Sequence, residues 1–234
     1  MIAWKKTFLI IPKDLNDMTN LEGMELYAKD KVFTSKKNGW KQGFQIYDFT
    51  GKKLTKSDFD SKSVIYTIVK VPEGGAYDNL LNMELKDPTQ EVPAGCTIQI
   101  KAVMKAGGNY RGEITGTYRI LEKGYDISKA VIQLMPQSYT GSTIEIGDDG
   151  DIKKATIRQN GKGVDLKLEG TGAKEADLRV VEGSYVKNIE KGTARVTLEG
   201  VGPYGGRKTV TFKITARSIN AENIWDGFFR LSGL

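Results

Sequence analysis

The 234 residues include no histidine and one cysteine, Cys96. Without histidine there is no Ser-His-Asp or Cys-His nucleophile, no imidazole general base, and no His-ligated zinc, haem or non-haem iron. A lone cysteine rules out a disulfide within the chain. With Gly95 beside it and no base to activate it, Cys96 reads as a small apolar residue. Long apolar runs are also missing: nothing approaches the roughly 20 residues that cross a bilayer as a helix, so no membrane span is expected. The stretch Met1 to Pro12 has too short an apolar run for a secretory signal and lacks a small-residue cleavage site. Clustered arginine is scarce too. The net charge of +6 is mostly lysine with acids interspersed, as in Lys52-Lys53-Leu54-Thr55-Lys56-Ser57-Asp58. Phosphate readers concentrate arginine on one face, so no nucleic-acid partner is expected. Solubility and protected strand edges explain the lysines.

What is abundant points to strands and turns. Glycine supplies 27 residues, well above the typical usage of roughly 7%, and valine, isoleucine, threonine and tyrosine are plentiful. Apolar residues make up 39%, enough for cores of ordinary size.

The chain repeats itself. Gly108 to Ile120, containing Tyr110, Gly112, Thr117-Tyr118 and Ile120, matches Gly202 to Ile214, containing Tyr204, Gly206, Thr211-Phe212 and Ile214, at an offset of 94. Thr97 to Ala102 aligns with Thr193 to Leu198 at an offset of 96, and Asp58-Phe59 and Tyr66 align with Asp177-Leu178 and Tyr185 at an offset of 119. The first copy therefore carries extra residues, placed near 71–92. Thr7-Phe8-Leu9-Ile10 resembles Thr117-Tyr118-Arg119-Ile120 and Thr211-Phe212-Lys213-Ile214, and Asp17-Met18-Thr19-Asn20 corresponds loosely to Asp126-Ile127-Ser128-Lys129 and Asn220-Ala221-Glu222-Asn223. The spacing is that of small sandwich domains. It predicts a terminal strand of a preceding unit at 1–16, units at 17–122 and 123–217, and an apolar segment at 218–234. Short linkers, Leu121 to Asp126 and Thr215 to Asn220, predict an elongated arrangement with limited flexibility.

Alternating apolar runs separated by Asn160-Gly161, Glu182-Gly183, Lys191-Gly192 and Gly205-Gly206 read as an antiparallel sandwich with little helix. The residues also resemble a known family. Tyr139-Thr140-Gly141, Asp177-Leu178 before Tyr185, and the closing run Gly192 to Ile214 look like the bacterial immunoglobulin-like repeats of large Gram-positive surface proteins. The first unit departs in its front half, where Phe33-Thr34-Ser35 stands at the start, and in its insertion. The resemblance implies an Ig-like spacer or adhesin module and no catalytic residues.

Other motifs have plain readings. Gly200-Val201-Gly202-Pro203-Tyr204-Gly205 fits a dinucleotide fingerprint, but Pro203 interrupts it and a strand follows, so it reads as a hairpin loop. Asp148-Asp149-Gly150-Asp151 alternates as calcium ligands do, but Ile152-Lys153-Lys154 follows, so it reads as a turn. The pairs Asp58/Asp60 and Glu175/Asp177 contain the carboxylates a glycoside hydrolase uses, yet their repeat-equivalent placement assigns them a shared structural job. Tyr110 and Tyr204 read as corner residues with hydroxyls bonded to backbone. The unrepeated tryptophans Trp4, Trp40 and Trp225 are candidates for something specific. Trp40, in a lysine-flanked turn, is the candidate ligand contact: an exposed ring stacks on a sugar or partner, a buried one packs on a neighbouring strand. The segment Ile224 to Leu234 is apolar enough to fold back, continue into a further domain or form an intermolecular contact.

The expectation is therefore an all-β chain of two tandem Ig-like antiparallel β-sandwich domains, elongated, non-enzymatic and requiring no cofactor or metal. It would serve as a spacer or adhesin repeat at the bacterial cell surface, extracellular, with signal and anchor outside these residues and a glycan or protein as partner. The alternative is a carbohydrate-binding module using exposed aromatics; the remote one is a carboxylate-based glycoside hydrolase.

Overall fold

The computed structural model describes residues 11–147, 151–168 and 176–217. It is all-β, with several sheets, and divides into two compact units between Asp126 and Ile127, four residues beyond the division the repeat predicts. Helix among the described residues is limited to short pieces, one turn at Met18–Leu21 and 3-10 turns such as Asp78–Leu80 and Ile127–Lys129. No helix is long and apolar enough to cross a membrane.

The first unit contains β1 (Lys13–Asp14), β2 (Glu25–Ala28), β3 (Lys31–Val32), β4 (Phe44–Tyr47), β5 (Ile65–Lys70), β6 (Thr97–Val103), β7 (Tyr110–Arg111) and β8 (Glu113–Leu121). One sheet has the order β3-β8-β6-β5, a second pairs β2 with β4, and β1 pairs in parallel with β7. Alternation aims Ile98, Ile100 and Ala102 of β6, with Ile114, Tyr118 and Ile120 of β8, at the same core as Leu26 and Ile46. Burial on this scale is the main favourable term in forming the unit. Strand β2 crosses β8 so closely that a Cβ at Gly116 would lie 2.1 Å from the Leu26 carbonyl oxygen. Leu15 is buried in this core, so the residues just before 17 belong to this unit rather than to a preceding one.

The second unit contains β9 (Val131–Leu134), β10 (Gln137–Ser138), β11 (Ile152–Gln159), β12 (Lys162–Asp165), β13 (Leu178–Val180), β14 (Gly192–Gly200) and β15 (Arg207–Thr215). Its sheets are β10-β15-β14-β13 and β12-β11-β9.

The repeat is carried by the pairing register itself. Ile98 faces Tyr118 as Ala194 faces Phe212, and Thr97 faces Arg119 as Thr193 faces Lys213. Strands β3 and β10 both enter in parallel, at Ile120 and at Ile214. The Phe33 N–H then bonds Leu121 O at 2.8 Å, and the Tyr139 N–H bonds Thr215 O at 2.9 Å, so Phe33 holds the place of Tyr139. Asp58 O accepts from the Lys105 N–H at 3.0 Å, as Asp177 O does from the Val201 N–H at 2.9 Å. One correspondence differs from the sequence alignment. The Leu15 and Ile127 N–H groups bond Arg111 O and Gly205 O, so Leu15, not Met18, matches Ile127. Burial of one leucine or isoleucine sets that register, and the loose polar match around Asp17 and Asp126 does not.

The insertion near 71–92 lies along the outer edge of β5. The Ile68 N–H donates to Met83 O, and the Asn82 and Leu85 N–H groups donate to Ile68 O and Tyr66 O, while Leu80, Leu85 and Val92 are buried. Backbone groups that would stand open at a sheet edge are satisfied in this way.

Candidate functional site

Trp40 is a core residue, and its assignment as a ligand contact is corrected. It is 5% exposed, its ring meets Tyr66 edge-on at 5.4 Å between centroids, and its Nε1–H donates to Asp87 O at 3.1 Å. The buried Tyr118 hydroxyl donates to the Trp40 carbonyl, and burial raises that phenol far above its ordinary pKa. The turn that delivers Trp40 requires glycine, because a Cβ at Gly39 would lie 2.3 Å from Thr34 O. The Asn38 N–H bonds Pro88 O, so the Trp40 turn and the insertion lock together. The physical reason for burial lies in that partnership. Trp4 and Trp225 lie outside the described residues, as do the segments 1–10 and 218–234, Asp148, Asp149 and Glu175.

The remaining candidates are structural where described. Asp58 accepts from the Thr55 N–H and hydroxyl at 2.6 and 2.8 Å, and those bonds hold its carboxyl below the usual range. Asp60 is lowered chiefly by the Ser63 hydroxyl and then by the Lys62 N–H. Asp177 Oδ2 accepts from the Lys167 N–H at 2.9 Å. Asp151 accepts from the Gln137 amide and the Gly147 N–H, both at 2.8 Å. Among the described residues no cluster of three or more metal-ligating side chains occurs. The Gly200 to Gly205 run forms the β14–β15 loop, with the Gly200 N–H bonded to Gly206 O. Of the corner tyrosines, Tyr110 donates to the Asp48 side chain, at 3.4 Å from Oδ2, and the Tyr204 hydroxyl accepts from Gln159 Nε2 at 3.1 Å. In the second unit Glu199 bridges Arg179 and Arg207 at 2.6 and 3.1 Å, which pairs charge along the strands.

Cys96 is fully buried at the entry to β6, and desolvation pushes its thiol up to about 11. A thiol held protonated and out of solvent is a poor nucleophile. We expect Cys96 to resist an aromatic disulfide reagent in the folded chain and to react within minutes after denaturation. Stoichiometric reaction of the native protein at neutral pH would contradict this assignment.

The remaining feature is a cleft of about 440 Å³ in the first unit, which sequence reasoning missed. Its floor includes Phe44, Phe59 and Val64, and Lys41, Lys56 and Lys62 stand around it. Phe44 and Phe59 pack with centroids 5.5 Å apart. The walls are tied down. Tyr66 donates its hydroxyl to Gln42 O, Lys31 Nζ donates to Lys41 O, and Lys105 Nζ donates to Lys56 O, each at 2.9 Å. The three lysines are exposed, and among the described residues none of their amines forms an ion pair. The signal was present in the repeat. At the 119-residue offset, Glu175, Leu178 and Val181 stand where the first unit has Lys56, Phe59 and Lys62.

No protein-family model matches the chain, and none of the curated proteins matches its sequence.

Proposed function

We propose that the chain is a non-enzymatic structural and adhesion region of a bacterial cell-surface protein, built from two Ig-like sandwich units. The observation that carries this reading is the preserved register. The same backbone bonds recur at Phe33 and Tyr139 and at Asp58 and Asp177, and the Tyr66 and Tyr185 hydroxyls each donate to a backbone carbonyl, Gln42 O at 2.9 Å and Ile146 O at 3.4 Å. Residues that might have served chemistry are occupied in holding strands and turns, as a repeated scaffold requires. A carbohydrate-binding module built on exposed tryptophan is not favoured, because Trp40 is enclosed.

The test is location. Intact source cells treated with a membrane-impermeant amine reagent are expected to yield labelled protein, since lysines are spread over both units. Labelling only after lysis would overturn the surface reading.

A further inference from the structure

We propose that the cleft of the first unit binds an acidic oligosaccharide, one sugar ring lying on the Phe44–Phe59–Val64 floor and its carboxylate or sulfate held by Lys41, Lys56 and Lys62. The inference deepens the adhesion reading and rests on it for the class of ligand.

Three observations converge. First, the lining is not fixed by the repeat. At the 119-residue offset the second unit carries Leu178 where the first has Phe59 and Val181 where it has Lys62, and Leu178 pairs with Gly200 as Phe59 bridges Met104, so that pairing needs neither the aromatic ring nor the ammonium group. Second, three ammonium groups around one cleft repel each other and attract an anion. Asp58 and Asp60 of the same stretch are ionised, but neither lines the cleft, whose lining holds three lysines and no acid. Third, the cleft has the dimensions and stiffness of a ligand site. Its volume of about 440 Å³ lies in the usual range of roughly 300–1,000 Å³, and the hydrogen bonds fixing Gln42 O, Lys41 O and Lys56 O reduce the ordering cost of binding.

The chemistry of the lining selects the ligand. Apolar and aromatic surface suits the C–H face of a sugar, while the Gln42 amide and Ser61 hydroxyl, which also line the cleft, suit its hydroxyl groups. Lysines act as point charges rather than bidentate forks, so binding is governed by charge and should weaken as salt rises. A peptide would dock most readily by adding a strand, and the open side of β5 is taken by residues 82–85.

The experiment is an NMR titration of the full chain with a sulfated heparin-type tetrasaccharide and with tetragalacturonate, beside neutral maltotetraose and hexa-aspartate. The acidic saccharides are expected to shift amides at 41–44 and 56–66. The triple variant Lys41→Gln/Lys56→Gln/Lys62→Gln is expected to weaken binding by about tenfold or more. A charge-matched triple, Lys153→Gln/Lys191→Gln/Lys213→Gln, should change it by less than about twofold. All six lysines are exposed, so both proteins should fold, which an unchanged melting temperature confirms. The proposal is overturned by equal weakening in both triples, by maltotetraose or hexa-aspartate binding as well as the acidic sugars, or by no binding at millimolar ligand. Each of these outcomes leaves surface labelling of cells untouched, so the two readings fail separately.

Discussion

Gly116→Val is expected to unfold the first unit selectively, although valine is the residue the second unit carries at the equivalent place. Gly116 pairs with Ile100 as Val210 pairs with Val196, so strand register and propensity would accept the substitution. The obstacle is β2. Any Cβ at Gly116 would fall 2.1 Å from the Leu26 carbonyl oxygen and 2.8 Å from Leu26 Cδ2. The first contact is with backbone, which cannot rotate aside, so β2 must be displaced together with Leu26 and Ala28 from the core. We expect a cost of about 3 kcal/mol or more, at the severe end for overpacking. At roughly 4–8 °C per kcal/mol for a unit of this size, calorimetry should register it as a large drop. Gly116→Ala should be nearly as harmful, because the clash is at Cβ. A melting temperature within a few degrees of wild type for either variant would show that β2 does not need this approach.

Trp40→Ala should be the second large effect, read in stability. The substitution removes a buried indole, its edge-on contact with Tyr66 and the Nε1–H bond to Asp87 O. Truncation of a buried aromatic side chain costs about 3–5 kcal/mol. Because the same residue pins the insertion, limited proteolysis should cut within 71–92 at temperatures where the parent resists. Trp40→Phe keeps a ring but loses the donor to Asp87 O, and should cost about 1–2 kcal/mol. Should Trp40→Ala leave both melting and proteolysis unchanged, the indole would have to be doing something other than packing.

Much of the fold was legible because repetition is a strong signal. The alignment of 113–121 with 207–215 corresponds to two nine-residue strands, and Asp58-Phe59 with Asp177-Leu178 corresponds to equivalent bridges, Phe59 to Met104 and Leu178 to Gly200. Where similarity was weak, local matching slipped. Asp17 and Asp126 look alike as turn acids, but buried Leu15 and Ile127 set the register. The insertion was visible as a gap in the alignment, while its place along β5 was not, because edge pairing uses backbone groups and leaves little trace in side-chain pattern.

The candidate site was misread in one respect and missed in another. Trp40 attracted attention as an unrepeated aromatic among lysines, yet indole carries a large apolar surface whose burial is favourable wherever a partner exists. Its partner, Asp87, lies 47 residues away in sequence. The cleft was hidden because its parts come from two separated stretches, Lys41 to Phe44 and Lys56 to Tyr66.

By itself the sequence determined that no imidazole chemistry, intrachain disulfide or helical membrane span is possible, and that one strand pattern is used twice. Those conclusions follow from counts and spacings, which do not change on folding. Only the tertiary structure decided that Trp40 faces inward, that Gly116 must be glycine while Val210 need not be, and that three lysines surround one apolar floor. Each of those depends on which distant backbone comes close, and that is settled by packing rather than by local propensity.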